Sequence, residues 1–185
     1  MQEKNIKNYQ TKLVKALTSF EWSPVVKLAK DIKAAWKDGR HVFLCGNGGS
    51  AANAAHIAND FLYPTSRLKG KGIKTTALSV NQAILTCLGN DVGYENIFSF
   101  QLKTLGAKRD ILIVLSGSGN SPNILEAVNI AKKIGMNTYA ILGFDGGKCL
   151  KLVDTPIHFA VNDMQISEDL QLIVGHMLMQ WLCQE

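Results

Sequence analysis

One short segment, residues 42–60 with the sequence VFLCGNGGSAANAAHIAND, limits what this chain can fold into more than any other. Val42 to Cys45 form an apolar strand pattern, the glycine turn 46–49 follows, and an amphipathic helix opens at Ser50. Glycines let a backbone approach a ligand closely, and Ser50 can cap the helix, so free N–H groups and the positive end of the helix dipole would face the turn. The segment predicts an anion site, and phosphate is the ligand it favours.

The same helix carries two side chains suited to acid–base or metal chemistry. His56 and Asp60 are four residues apart, so they share one helix face. A lone helical histidine is usually structural, but the neighbouring carboxylate favours a functional pair. A phosphate cradle and a histidine–carboxylate pair are therefore predicted on a single element.

A second polar loop follows another apolar strand. The run ILIVL at 111–115 is typical of a strand covered on both faces, and it leads into SGSGNSP at 116–122. Ser121 can cap the next helix with Pro122 in its first position, and the hydroxyls of Ser116, Ser118 and Ser121 are donors that a phosphate or a sugar can use. This is a second loop of the phosphate-binding type.

Helices and strands alternate along the whole chain. Helices are predicted at about 3–19, 23–37, 50–64, 81–88, 123–134 and 165–182, and a further helix after residue 96 ends at about 105. Strands are predicted at 42–45, 74–78, 111–115, 138–142 and 157–161. Residues 65–73 and 89–96 read as loops. The pattern predicts an α/β fold with one domain over 1–185: a doubly wound parallel sheet, preceded by a helical hairpin in 1–38. Both polar loops lie at carboxyl ends of strands, where such sheets bind ligands.

Composition and motif spacing exclude several functional classes. No apolar run approaches the roughly 20 residues of a membrane span, and the N-terminus is polar, so we expect a cytoplasmic protein without a membrane partner. The four cysteines show no C-x-x-C spacing and read as buried thiols. The net charge of +5 comes without a nucleic-acid motif, which favours a phosphorylated small molecule as partner rather than a nucleic acid. Neither loop completes G-x-G-x-x-G or ends in G-K-[ST], which argues against nucleotide binding.

Together these motifs resemble the sugar-isomerase (SIS) domain family, and within it the phosphoheptose isomerases. The resemblance rests on GNGGS followed by a helix containing His56, on GND at 89–91 and on SGSGNS at 116–121, and it covers essentially the whole chain. It implies a SIS-type, flavodoxin-like three-layer sandwich. It also implies isomerisation of sedoheptulose 7-phosphate to a heptose phosphate, by homotetramers with active sites between subunits and often with zinc.

The resemblance assigns roles residue by residue. The positions that match substrate-binding residues are Asn47, Gly48, Gly49, Ser50, Asn90, Asp91, Ser116, Gly117, Ser118, Ser121 and Glu168. The metal positions are His56, Asp60, Glu168 and His176, with one Zn²⁺ or similar ion expected per site. Asp60 is expected to be the catalytic base and His176 its acid–base partner.

Two of these positions depart from the family pattern. The family has glutamate where Asp60 stands and glutamine where Glu168 stands. Asp60 shortens the carboxylate arm by one methylene, and displacements near 1 Å can change rates about a hundredfold. Glu168 and His176 lie eight residues apart, about 12 Å along a helix, so they reach one ion only if their side chains converge. The better-supported metal core is therefore His56, Asp60 and His176.

The expected chemistry is an aldose–ketose isomerisation through an enediolate, which needs a base near carbon, an acid–base group for the oxygens and stabilisation of negative charge. Two alternatives stay open at this point. One is a non-catalytic SIS protein that binds a sugar phosphate and regulates a partner. The other is an isomerase of a different sugar phosphate.

Overall fold

The computed structural model of the chain describes residues 2–184. Met1 and Glu185, the ends of the predicted domain, lie outside this range. The helices and strands, in order, are α1 Glu3–Thr18, α2 Ser23–Lys37, β1 Val42–Gly46, α3 Gly49–Lys69, β2 Thr75–Ala77, α4 Gln82–Asp91, a 3₁₀ turn Tyr94–Asn96, α5 Ser99–Leu105, β3 Ile111–Ser116, α6 Pro122–Ile134, β4 Asn137–Leu142, α7 Cys149–Leu152, β5 Thr155–His158 and α8 Met164–Gln184. Within 2–184, no helix combines the length and apolar character needed to cross a membrane.

The five strands form one parallel sheet in the order β2-β1-β3-β4-β5. This is the flavodoxin-like order, so the predicted doubly wound α/β fold is confirmed. The strand order reverses between β1 and β3, which pair with Gly46 opposite Leu115. The crevice at the carboxyl ends of these two strands is where ligands of such sheets bind, and both polar loops leave the sheet there.

Alternation along each strand divides the interior into two apolar layers. On β1, Val42 and Leu44 face a layer built with α2, α3 and α8, whereas Phe43 and Cys45 face one built with α5 and α6. All four side chains are fully buried. Because a central strand is covered on both faces, its sequence is a continuous apolar run.

The helices α3 and α8 pack side by side on one face of the sheet. Gly175 of α8 is the point of close approach, since a Cβ placed there would lie 2.6 Å from Cγ1 of Ile57 on α3. Both residues are buried. The missing side chain therefore lets the two helix backbones come together beside His56 and His176.

Three predicted element boundaries are wrong. The third helix does not end near Pro64 but runs to Lys69, because a proline removes only one helical hydrogen bond and the neighbouring Phe61 and Thr65 are fully buried. The helix α4 continues through Gly89 to Asp91, since an isolated glycine weakens a helix by only about 1 kcal/mol. The last strand is 155–158 rather than 157–161, because its partner β4 ends at Leu142, opposite His158.

Candidate active site

The first polar loop opens α3 at the carboxyl end of β1. Gly48 occupies the N-cap position with φ of 54°, a left-handed value that favours glycine. The N–H of Ala51 already bonds to the carbonyls of Asn47 and Gly48, so the helix starts before Ser50. The expectation that Ser50 caps the helix is therefore wrong. Its hydroxyl instead accepts a hydrogen bond from Gln171 of α8, at 3.0 Å.

The second polar loop is held in shape by its own serines. The Ser116 hydroxyl accepts a hydrogen bond from the N–H of Gly119 at 3.0 Å, and the Ser118 hydroxyl accepts one from the N–H of Asn120 at 3.3 Å. Ser121 occupies the N-cap position of α6, as predicted, but its side chain makes no capping hydrogen bond. Among the described residues, 2–184, no other hydrogen bond engages that hydroxyl, so it can bind a ligand.

The two loops line a single cleft of about 270 Å³ between the carboxyl ends of β1 and β3. Nine of the predicted substrate-binding residues meet in it. The lining residues are Asn47, Gly48, Gly49, Ser50, Leu115, Ser116, Gly117, Ser118, Ser121, Met164 and Glu168. Sequence reasoning missed Met164, whose sulfur packs over Gly117; it is the first residue of α8 and no local motif marks it. Backbone N–H groups, hydroxyls and the end of α3 make this cleft suitable for an oxyanion.

Asn47 joins the two loops rather than offering a free amide to a ligand. It exchanges two hydrogen bonds with Asn123 of α6, Nδ2 to Oδ1 at 2.9 Å and the reverse at 2.8 Å. The hydroxyl of Tyr94 also donates to Asn47 Oδ1 at 3.2 Å. Asn123 and Tyr94 were not predicted as site residues. They lie 76 and 47 residues from Asn47 in the sequence, and no periodicity links positions so far apart. The bonds fix the spacing of the cleft walls.

Asn90 and Asp91 lie at the end of α4, exposed and outside the residues that line the cleft. The amide of Asn90 donates to Asp91 Oδ1 at 2.8 Å, and the thiol of Cys87 lies 3.4 Å from Oδ2. The hydrogen bond from Asn90, and then the one from Cys87, lower the pKa of Asp91 below its usual value. Asp91 is therefore an ionised acceptor at neutral pH.

A second cluster forms where α3 meets α8. The Nε2 atoms of His56 and His176 lie 2.9 Å apart, and Asp60 Oδ2 lies 3.4 Å from the first and 3.8 Å from the second. Both imidazoles are about half exposed, whereas the side chain of Asp60 is 13% exposed. The predicted pair on α3 is thus joined by a residue 120 positions away in the sequence.

This cluster matches the donor requirements of Zn²⁺. Among the residues that the structure describes, His56, Asp60 and His176 form a group whose ligand atoms all lie within 4.8 Å of one another. Two imidazole nitrogens and one carboxylate oxygen, with a position left open, are a usual set for catalytic zinc. The residues present therefore fit such an ion.

Glu168 lies in the cleft, apart from this cluster. Its carboxylate lies directly over Gly49, so that a Cβ at that glycine would overlap it. The close group of metal-type donors contains His56, Asp60 and His176 without Glu168. Of the two predicted roles of Glu168, this position favours the one in substrate binding.

Known proteins that resemble this chain include sugar-phosphate isomerases, in agreement with the geometry of the site. A family model described as SIS domain matches residues 7–143. The chain is 42% identical over 144 residues to a phosphoheptose isomerase of Clostridium acetobutylicum, which covers 78% of this chain and 73% of that protein. It is 34% identical to a phosphoheptose isomerase of Helicobacter pylori strain HPAG1, over 95% of this chain and 91% of the relative.

Solved structures extend the likeness to the entire fold. The phosphoheptose isomerase of Neisseria gonorrhoeae superposes with a TM-score of 0.89 at 27% identity, covering 99% of both chains. That of Francisella tularensis gives a TM-score of 0.90 at 26% identity, covering 100% of both. The similarity therefore includes the N-terminal hairpin and α8 as well as the sheet.

Proposed function

Because this chain belongs to the SIS domain family, we propose that it is a phosphoheptose isomerase, which interconverts sedoheptulose 7-phosphate and D-glycero-D-manno-heptose 7-phosphate. The observation that carries this function is the cluster of one buried carboxylate and two half-exposed imidazoles, with Asp60 Oδ2 within 3.8 Å of both rings. A protein that only binds a sugar phosphate has no need for these acid–base groups. The isomerisation does need them, because general acid–base groups accelerate its proton transfers by about 10²–10⁴-fold.

The chemical step assigns Asp60 and His176 distinct roles. Starting from the ketose, the carboxylate of Asp60 takes a proton from C1, and the electron pair of that C–H bond forms an enediolate. The proton returns at C2, while His176 moves the hydroxyl proton from O1 to O2. Each product bond is thereby made with the protons and electrons of the substrate alone, as an isomerisation requires.

We propose that His56, Asp60 and His176 hold one Zn²⁺ ion. When bound, the ion would supply Lewis-acid polarisation of the substrate oxygens next to the reacting carbons. His56 would serve mainly to hold the ion: its Nε2 lies 2.9 Å from Nε2 of His176 and 3.4 Å from Oδ2 of Asp60. A ligand role of Glu168 stays a prediction.

The cleft is proposed to hold the phosphate end of the substrate. The N–H groups of Gly48 and Gly49 would bind phosphate oxygens, together with the backbone of Gly117 and the hydroxyls of Ser50, Ser116, Ser118 and Ser121. Glu168 would accept hydrogen bonds from sugar hydroxyls. Ser50 and His56 are six residues apart on α3, about 9 Å along its axis, which matches the reach of a seven-carbon chain. Binding energy from the phosphate then orients the distant reacting carbons.

We further propose a homotetramer with sites between subunits. The half-exposed imidazoles and an apolar surface that includes Trp22, Val26 and Met177 support this assembly, since apolar patches of this kind mark interfaces. Asn90 and Asp91, outside the cleft of their own chain, would contact the sugar in the assembled site. Native mass spectrometry should give four chains per particle; a monomer with full activity would contradict the proposal.

The proposed compartment is the cytoplasm. All four cysteines are free thiols, and free thiols persist in reducing compartments. Burial raises the pKa of Cys149 to about 12, so this thiol stays protonated and unreactive at neutral pH.

A direct turnover assay tests the function. The purified protein is mixed with sedoheptulose 7-phosphate, with and without Zn²⁺, and the new aldose phosphate is followed by NMR. Asp60→Asn and His176→Ala should each lower kcat by about 10²–10⁴-fold. Asp38→Asn, an exposed carboxylate variant away from the site, serves as the control. Wild-type protein that binds the sugar phosphate without turnover would instead be a binding protein, and turnover of only a different ketose phosphate would change the substrate.

A further inference from the structure

We propose that Gln171 is a positioning residue that fixes the hydroxyl of Ser50 as a hydrogen-bond donor toward the phosphate end of the substrate. This inference rests on the proposed function for the identity of the ligand. It concerns a buried chain of amides that joins the start of α3 to α8, in which neither Asn53 nor Gln171 carries a role from the sequence motifs.

Three consecutive hydrogen bonds make up the chain. Asn53 Nδ2 donates to the backbone carbonyl of Glu168 and to Gln171 Oε1, both at 3.0 Å. Gln171 Nε2 then donates to Ser50 Oγ, also at 3.0 Å. The exposed fractions are 9% for Asn53, 0% for Gln171 and 4% for Ser50. Because these side chains are buried, breaking one of the bonds would leave a buried polar group without a partner.

The orientation of each amide follows from its neighbour. A backbone carbonyl can only accept, so the side of Asn53 that faces Glu168 must be its NH₂ group. The same NH₂ group faces Gln171, which must therefore present its oxygen to Asn53 and its nitrogen to Ser50. The oxygen of Ser50 is thus fixed as an acceptor.

The direction of the Ser50 O–H bond is the one feature of this side chain that the amides leave open. Within residues 2–184 the hydroxyl makes no hydrogen bond other than the one it accepts from Gln171, and Ser50 lines the cleft. The O–H is therefore available to an acceptor in the cleft. Phosphate oxygens are such acceptors, and a hydrogen bond to a charged group is stronger than one between neutral groups.

The variant Gln171→Glu tests this polarity with little change in shape. A carboxylate at 171 accepts the proton of Ser50 and draws it away from the cleft. We expect the KM for sedoheptulose 7-phosphate and the Kd for inorganic phosphate to rise by about tenfold or more, while kcat falls by less than threefold, since Ser50 is remote from the reacting carbons. Gln171→Met, which removes the donor without adding charge, should have a smaller effect because the hydroxyl can still rotate toward the phosphate.

A double-mutant cycle separates positioning from repulsion and from a folding defect. In the Ser50→Ala background, added charge still repels phosphate but no hydroxyl proton is lost. The effect of Gln171→Glu on the Kd for inorganic phosphate should therefore be about tenfold smaller there than in the wild-type background. Equal effects in the two backgrounds would overturn the proposal, as would a fall in kcat alone. Should Gln171→Glu not fold, Asn53→Asp probes the same chain, because it turns the amide of Gln171 around, and it should show the same dependence on Ser50.

Inorganic phosphate keeps this test distinct from that of the enzymatic function. Wild-type protein that binds phosphate and shows the expected coupling, but does not turn over the heptulose phosphate, would retain the positioning role and refute the isomerase. Wild-type protein that turns over substrate but shows no coupling would support the isomerase and refute the positioning role. Failure of the wild-type protein to bind phosphate at all would overturn the positioning role together with the cleft assignment.

Discussion

Replacing Gly175 by alanine should push α8 away from α3 at the level of the two histidines. The added Cβ would lie 2.6 Å from Cγ1 and 2.8 Å from Cδ1 of Ile57. Non-bonded carbon atoms normally stay about 3.5–4.0 Å apart, so the helices must separate, or Ile57 must move, by about 1 Å. His176, the next residue, moves with the backbone of α8.

The expected result is a large catalytic loss with a moderate loss of stability. A misplacement of about 1 Å can lower the rate about a hundredfold, and overpacking a buried contact costs about 1–3 kcal/mol. We therefore expect kcat to fall by one to two orders of magnitude, with weaker Zn²⁺ binding. The KM should change little, because the first polar loop meets α3 at Gly49, eight residues or about 12 Å along the helix from Ile57.

The assay compares kcat, KM and thermal melting for four proteins: the wild type, Gly175→Ala, Ile57→Ala and the double variant. In the double variant both crowded atoms are gone and Cβ of residue 57 lies at an ordinary 3.6 Å, so most of the kcat should return. Gly89→Ala is the matched control for the melting temperature, since within residues 2–184 no atom lies within 4 Å of the added methyl in α4. A kcat for Gly175→Ala within threefold of the wild type, or a double variant no better than the single one, would refute the reasoning.

Three further predictions concern the cleft, the metal and the fold. Ser118→Ala combined with Ser121→Ala should weaken binding of the sugar phosphate by at least tenfold in calorimetry, whereas the exposed Ser19→Ala should not. Chelation followed by metal analysis should remove about one Zn²⁺ per chain, and Asp60→Asn should not rebind it at stoichiometric concentration; a wild-type protein that never binds a divalent ion would contradict the ligand assignment. Burial, followed by a hydrogen bond to a carboxylate of α2, raises the pKa of Tyr139 to about 12. Because this folded-state pKa exceeds the ordinary value of 10, the corresponding stability is present below pH 10 and is lost as the pH rises toward 12. Urea unfolding at pH 9 and pH 11.5 should show a larger difference for the wild type than for Tyr139→Phe.

Local patterns were sufficient to predict the sheet and both loops. The apolar runs of β1 and β3 identify central strands because each must face two apolar layers. The glycine and serine clusters identify loops because their turn chemistry acts within a few residues. The end of α3 was misplaced for the opposite reason: Pro64 signals a local break, but the fully buried Phe61 and Thr65 stabilise the helix through contacts with the rest of the molecule.

The site was predictable only where its geometry is local. His56 and Asp60 lie one helical turn apart, so the sequence alone placed them together. His176 could be assigned only through the family resemblance, since a histidine in an apolar helix is normally a packing residue. The amides of Asn53 and Gln171 left no signal, because they lie 118 residues apart and only the packed helices bring them within 3.0 Å.

The pairing of α3 with α8 controls both ends of the site. The first turn of α3 and the first turns of α8, with Met164 and Glu168, form one wall of the cleft, and the same two helices bring the histidines together farther along. Substitutions in the loop 116–121 should therefore act on substrate binding alone. Substitutions between the helices can act on either step, according to their position: Gln171, beside Ser50, on binding, and Gly175, beside His176, on turnover. One turn of α8 separates these two effects, because four residues advance a helix by about 6 Å.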